Sequence, residues 1–133
     1  MLCEAKKSIH NYLIVVRDFR KLDIWKNGIE IVKQTYQLCH KLPSEEKFGL
    51  RSQITRASVS ISSNIAEGSS RNSEAEFKRF LEIAIGSLFE VETQLILARE
   101  LKFVTETELE SILILLQKEA KMINSLINKI NNS

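Results

Sequence analysis

Two histidines, two cysteines and a few carboxylates on apolar stripes are the residues of this chain whose types could carry catalysis or bind a metal. His10 lies near the start of the chain, and His40 closes the first long helical pattern. A catalytic triad would need one of them beside a buried carboxylate and an activated serine, and no nucleophile-elbow pattern is present. Cys39 and His40 are adjacent, so on a helix they point about 100° apart and cannot chelate one ion. Cys3 and Cys39 have no metal-like spacing. Cys39 falls on an apolar stripe, where a free thiol behaves as a small hydrophobe, in keeping with a reducing compartment and no disulfide.

Glu67, Glu90 and Glu92 lie on or near apolar stripes, and bundles that hold two metal ions do carry inward glutamates. Those sites also need Glu-x-x-His on two helices, which this chain lacks. The three carboxylates are expected to pair with Arg51, Arg56 or Arg99, or to cap helix ends. No two glycines are close enough to build a phosphate loop. Of the amides, Gln53 and Asn64 stand out. Asn64 is one position from a core stripe, and its amide is expected to bond backbone groups where the second helix turns into the third. The expectation is a chain that is not an enzyme, with no cofactor, no metal and no small-molecule substrate.

The elements that position these residues read as four long helices. The first runs from about Leu22 to Leu42, with Leu22, Trp25, Ile29, Val32, Tyr36 and Cys39 on one stripe and Ile24, Ile31, Leu38 and Leu42 on a second. Pro43 stops it, and Ser44 can cap a second helix from about Glu45 to Glu67. That helix places Leu50, Ile54, Ala57, Ile61 and Ile65 on one stripe but is rich in serine and β-branched residues, so packing must hold it. It reads as the most enclosed helix. Gly68 suits a left-handed residue past its end. Ser73 with Glu76, and Thr105 with Glu108, have the spacing of capping boxes for helices three and four. Helix three carries Phe77, Leu81, Ala84, Leu88, Val91, Leu95 and Ala98, with Gly86 as a point of close backbone approach and an end near Leu101 to Phe103. Helix four carries Leu109, Ile112, Leu116, Ile123, Ile127 and Ile130. The fold class is all-α: an antiparallel up-and-down four-helix bundle over residues 18–133, with residues 1–17 as an N-terminal extension of undecided form.

At 133 residues the chain fits one domain. Its single proline and four glycines leave little punctuation for strands and turns. The net charge is only +2, which excludes bulk attraction to polyanions as an organising feature. Charge is nevertheless uneven: eight basic residues face four acidic ones up to Leu42, an excess of +4 that leaves −2 for the rest. The apolar run Tyr12 to Val16 is too short to span a membrane, and no cleavage site follows it, so a cytoplasmic protein is expected. More apolar surface is on offer than one core needs, which predicts self-association.

Gln53, Arg56-Ala57, Ser60-Ile61 and above all Asn64-Ile65-Ala66-Glu67-Gly68 resemble the signature of the bacterial four helix bundle protein family. Phe19 to Trp25, Phe77 to Leu81, Gly86 to Leu88 and Glu92 to Leu95 support the match, which covers roughly Asp18 to Ile130. Members of that family include proteins encoded in intervening sequences of 23S ribosomal RNA genes. Similar bundles serve as accessory proteins to the reverse transcriptases of diversity-generating retroelements and assemble as pentameric barrels with basic surfaces. The resemblance implies Gln53, Asn64, Glu67 and Gly68 as a structural signature, a homopentamer, and RNA or a nucleic-acid-processing protein as partner. The alternative is a structural or protein-binding module with no direct nucleic-acid contact. Candidate phosphate-neutralising residues are Arg20, Lys21, Lys26 and Lys33, then Arg51 and Arg56, then Arg71, Lys78 and Arg79. Most aromatic residues fall on core stripes, so exposed rings for stacking bases are not evident.

Overall fold

The computed structural model describes residues 17–133. Four α-helices follow a short 3-10 turn at Phe19–Lys21: α1 Asp23–Cys39, α2 Leu50–Ser69, α3 Glu74–Glu100 and α4 Glu106–Asn131. Each packs on two neighbours, in the cyclic order α1, α2, α3, α4. Side-chain contacts give the register. Arg51 reaches His40, Gln53 meets Gln94, Ser60 meets Ser87, and Asn27 reaches Leu115 while Gln34 meets Ser111. Numbers rise along one helix as they fall along the next, so neighbours run antiparallel. This is the up-and-down bundle the periodicity predicts. The expected extension at residues 1–17 lies, apart from Arg17, outside the described residues. No described helix is long and apolar enough to cross a membrane.

The core is a single apolar cluster in which Ile31, Ile54, Ile61, Ile65, Leu81, Leu88, Leu95, Leu109 and Ile123 are almost wholly shielded from solvent. The serine-rich α2 is buried without orphaning most of its hydroxyls, because several return to the backbone one turn earlier. Thr55 Oγ1 donates to the Arg51 carbonyl at 2.9 Å, Ser58 Oγ to Thr55 at 2.8 Å and Ser69 Oγ to Ala66 at 2.7 Å.

Several local expectations need correction. The two adjacent stripes expected of α1 are not equally buried: the second, with Ile24, Ile31 and Leu38, faces the core, and Cys39 of the first is buried with it. Trp25 and Val32 on the first stripe are half-buried, and Ile29 and Tyr36 are exposed. Helix α2 begins at Leu50 rather than Glu45: Ser44–Glu46 form a 3-10 turn, Gly49 is the N-cap, and Glu46 Oε2 accepts the Leu50 N–H at 2.8 Å. Gly68 is not a left-handed terminator, since it lies inside α2 and no described glycine has positive φ. Its role is close approach, for a Cβ there would stand 2.5 Å from Phe80 Cβ. Gly86 shows the reverse: it is exposed, and a Cβ would meet nothing within 4 Å.

The helix starts follow their caps. Thr105 and Glu108 form the full reciprocal capping box. Ser73 accepts from the Glu76 N–H at 3.1 Å, while a return bond from the Glu76 side chain is not made among the described residues. The end of α3 is a Schellman turn: Phe103 N–H bonds the Ala98 carbonyl and Lys102 N–H bonds the Arg99 carbonyl, both at 2.9 Å. Lys102 takes φ 66° at the position that usually belongs to glycine.

Candidate nucleic-acid interface

Antiparallel topology sorts the basic candidates between the two ends of the bundle. At one end α1 and α3 begin while α2 and α4 finish. Arg20 and Lys21 in the 3-10 turn, Lys26 in the first turn of α1, Arg71 after α2, and Lys78 and Arg79 early in α3 all belong to it. Arg51 belongs to the opposite end, and Lys33 and Arg56 lie along the sides. Six of the nine candidates thus share one end.

Aromatic rings organise that end. The Arg20 guanidinium lies over the Phe19 ring at 4.5 Å, Arg71 over Phe80 at 4.9 Å and Arg17 over Phe77 at 4.2 Å. Phe19 in turn meets Trp25 edge-on at 5.2 Å. A guanidinium held over a ring loses little further freedom on binding and keeps its donor edge available for bidentate contact with phosphate. Each arginine also has a carboxylate neighbour. Arg17 pairs with Glu74, Arg20 with Asp18 at 3.6 Å and Arg71 with Glu67 at 3.1 Å. The Arg20 and Arg71 pairs are exposed and worth little, so a phosphate can replace the carboxylate there at small cost, whereas the Arg17 side chain is largely buried. Lys21, Lys26, Lys78 and Arg79 form no ion pair with any described residue.

Away from this end, Lys33 pairs with Glu30 at 3.6 Å on its own helix, and Arg51 approaches His40 Nδ1 at 3.1 Å. Arg56 is exposed on α2. Of the carboxylates expected to pair with Arg51, Arg56 or Arg99 or to cap helix ends, Glu67 and Glu90 take other partners. Glu67 takes Arg71, Glu90 accepts from Gln94 at 3.3 Å, and Arg99 turns to Glu100 and Glu106.

The signature amides bond polar groups of α2 and α3. Asn64 Nδ2 donates to the Ser60 carbonyl at 2.8 Å and to Ser60 Oγ at 2.9 Å. Ser60 Oγ bonds Ser87 Oγ at 2.9 Å, so the chain of bonds crosses from α2 to α3. Asn64 therefore bonds backbone as expected, but one turn back in α2 rather than at the turn into α3. Gln53, exposed, accepts from Gln94 Nε2 at 3.5 Å across the same pair of helices.

The exposure of the aromatic rings differs from the expectation that most of them fall on core stripes. Exposed rings do exist: Phe48 is 89% exposed with Lys47 Nζ 5.5 Å from its ring, and Tyr36 and Phe89 are half-exposed. Phe48 falls on no stripe, a signal hidden by extending α2 back to Glu45. Apolar side chains also remain on the outside of α3, namely Ile83, Phe89, Ile96 and Leu97. A groove between α1 and α2 is lined by Trp25, Ile29, Val32, Val59, Ser62 and Ala66.

A fully buried carboxyl, Glu119 on α4, is not expected from the sequence. Its Oε1 accepts from Asn27 Nδ2 at 3.2 Å, and burial lifts its pKa to about 7 against the pull of Asn27 and Lys118. The apolar stripe of α4 steps seven residues from Leu116 to Ile123, and position 119 is the missing member. Cys39 is the other strongly shifted buried group, its thiol pushed up to about 11 by burial, which keeps it an inert thiol. Among the described residues no group of three His, Cys, Asp or Glu could hold a metal ion.

Comparison with known proteins adds an identity to this geometry. The solved structure of a protein of unknown function from the S23 ribosomal protein family of Bacteroides thetaiotaomicron superposes with a TM-score of 0.72 at 28% identity, covering 78% of this chain and 97% of that one. Among curated proteins none matches the chain. Residues 20–125, four complete or nearly complete helices, match the family described as 23S rRNA-intervening sequence protein, and the chain belongs to that family.

Proposed function

We propose that this chain is a non-catalytic, self-assembling four-helix bundle that associates with RNA through phosphate contacts at the end where α1 and α3 begin. The observation that carries the reading is the gathering of Arg20, Lys21, Lys26, Arg71, Lys78 and Arg79 at that end, two of the arginines resting on aromatic rings. Such an arrangement neutralises phosphates without reading base edges, so affinity should be sequence-tolerant and steeply salt-dependent. The family's description, which ties such proteins to 23S rRNA, supports an RNA setting. A cytoplasmic location and the absence of catalysis belong to the same proposal. Fluorescence anisotropy with two unrelated RNAs at low and moderate salt tests it; equal affinities that fall together with salt are the expected result.

Self-assembly rests on the apolar surface left outside the core: Ile83, Phe89, Ile96 and Leu97 on α3, and the groove carrying Trp25, Ile29 and Val59. We take a homopentamer as the working stoichiometry, and light scattering at micromolar concentration tests it. The same apolar surface favours the second reading, a module that binds another protein, such as a subunit accessory to a reverse transcriptase. Absence of RNA binding at low salt would decide for that reading.

A further inference from the structure

Glu119 Oε2 is buried and accepts no hydrogen bond from any described residue, and Ser62 Oγ on α2 is likewise buried and unpartnered. Both atoms converge on Gly28 of α1: a Cβ there would lie 2.4 Å from Ser62 Oγ and 3.1 Å from Glu119 Oε2. The glycine therefore makes room for a carboxyl and a hydroxyl in the middle of the bundle, where α1, α2 and α4 meet. Asn27 beside it engages the other carboxyl oxygen and also donates to the Leu115 carbonyl at 3.1 Å.

Among the described residues no cation forms an ion pair with this carboxyl. From α1 the nearby charged groups are Asp23 and Lys26, which with Lys118 of α4 line a surface opening beside Asn27. All three are exposed, and Asp23 opposes the two amines. From α2 the facing buried residues are Ser58, Ile61, Ser62 and Ile65, and its charged residues Arg51, Arg56 and Glu67 are exposed or half-exposed. From α3 the buried residues include no ionisable side chain. Cys39 is twelve residues along α1 from Asn27, about 18 Å at 1.5 Å per residue.

A carboxylate left in such a place keeps its charge without a counter-ion, and a buried charge of that kind is strongly disfavoured. The neutral acid suits the same place well. Its O–H can donate toward Ser62 Oγ while Oε1 goes on accepting from Asn27; because the Ser62 hydroxyl can donate to a carboxylate as well, it is the lack of a counter-ion that favours the acid. We propose that Glu119, Asn27 and Ser62 form a proton-operated latch, closed when Glu119 carries its proton and loosened at the α1–α2–α4 junction when the proton leaves.

The direction of the pH effect follows. The folded chain holds this proton up to about pH 7, whereas an unfolded glutamate releases it near its ordinary value. Between those two values the folded state binds more protons than the unfolded one. Stability contributed by the latch is thus complete below the unfolded value and lost as pH rises to about 7. Across that window the unfolding constant should rise about tenfold per pH unit from this one group.

Urea unfolding of the full chain from pH 5 to 8.5, beside Glu119→Gln, tests the latch. The amide keeps the shape of the neutral acid and cannot ionise, so E119Q should show a midpoint nearly independent of pH while that of the wild type falls toward neutrality. Equal slopes in the two proteins would overturn the proposal. Should E119Q not fold, carboxyl 13C spectra of the Glu-labelled wild type decide alone. One resonance should titrate between pH 6 and 8, after the exposed glutamates have finished; completion of every glutamate titration below pH 6 overturns the latch.

Discussion

Gly68 of α2 and Phe80 of α3 touch so closely that the glycine's missing side chain is the contact itself. A Cβ on Gly68 would lie 2.5 Å from Phe80 Cβ and 3.1 Å from Phe77 Cδ1. Neither obstacle is the free end of a flexible chain: the first is anchored to the α3 backbone, and Phe77 is buried. Gly68→Ala must therefore push α2 and α3 apart at the end that carries Arg71, Lys78 and Arg79. Overpacking of this kind typically costs about 1–3 kcal/mol. Urea unfolding should show a lower midpoint, and an unchanged midpoint would show that the helices separate there without cost.

Gly86, eighteen residues along, should respond with the opposite sign. It is exposed inside α3 with open space around it, so Gly86→Ala should stabilise the isolated bundle by about 0.5–1 kcal/mol through helix propensity alone. Gly86 is flanked on the outer side by Ile83 and Phe89, both exposed. If another copy packs its backbone on this face, the added methyl will weaken association while it strengthens the monomer. Unfolding and light scattering on the same variant separate the two effects. A destabilised monomer would contradict the open space seen at this position.

Lys102 offers a stabilising change with a different cause. Its φ of 66° is a left-handed conformation that costs an L residue about 1 kcal/mol. Both Schellman hydrogen bonds run through backbone N–H groups, so Lys102→Gly keeps them and removes the strain. A gain of about 0.5–1 kcal/mol in thermal or urea unfolding is expected, and a decrease would mean that the lysine side chain makes an interaction that matters more.

An acid-side pH dependence comes from Glu108. Its carboxylate takes the Lys41 amine and the Thr105 backbone N–H, and these partners, Lys41 foremost, hold its pKa down at about 2. A lowered folded value means the group stabilises the bundle above the ordinary glutamate pKa and ceases to do so as pH falls toward about 2. Glu108→Gln should flatten the wild-type decline between pH 5 and 2. Persistence of the full decline in the variant would assign it to other carboxylates. Glu119 acts in the reverse sense, losing its contribution as pH rises to about 7.

The helices were legible because apolar spacing and caps agree: the stripes of α2, α3 and α4 are the buried faces, and Thr105 caps where expected. What misled was the role of single residues whose meaning depends on a neighbour. Two candidate stripes on α1 carry similar side chains, and only the positions of α2 and α4 decide that Ile31 goes inside while Tyr36 stays out. Gly68 and Gly86 look alike as helix glycines, yet Phe80 faces one and nothing within 4 Å faces the other. Glu119 was readable in part, since it fills a gap in an apolar stripe, but its partner Asn27 is 92 residues away. The arginine-bearing end was legible as charge and not as a place, because joining Arg20, Arg71 and Arg79 requires the antiparallel topology first.

That topology allows a local test of the RNA proposal. Arg20, Lys21, Lys26, Lys78 and Arg79 share one end, whereas Lys33 and Arg56 lie on the sides. Alanine at the five end positions should lower affinity for unrelated RNAs by similar factors. Each phosphate no longer neutralised should also flatten the plot of log affinity against log salt by about 0.7–0.9. Alanine at Lys33 and Arg56 removes charge of the same sign without touching that end, and should leave the slope nearly unchanged. Arg20, Lys21, Lys26 and Arg79 are exposed and Lys78 is half-buried, so the fold should survive, which circular dichroism verifies. Equal flattening per charge removed in the two variants would mean diffuse attraction rather than an interface. No binding by the wild type at low salt, where attraction between RNA and basic residues is strongest, would remove RNA from the proposal and leave the exposed apolar faces of α1, α2 and α3 as the functional surface.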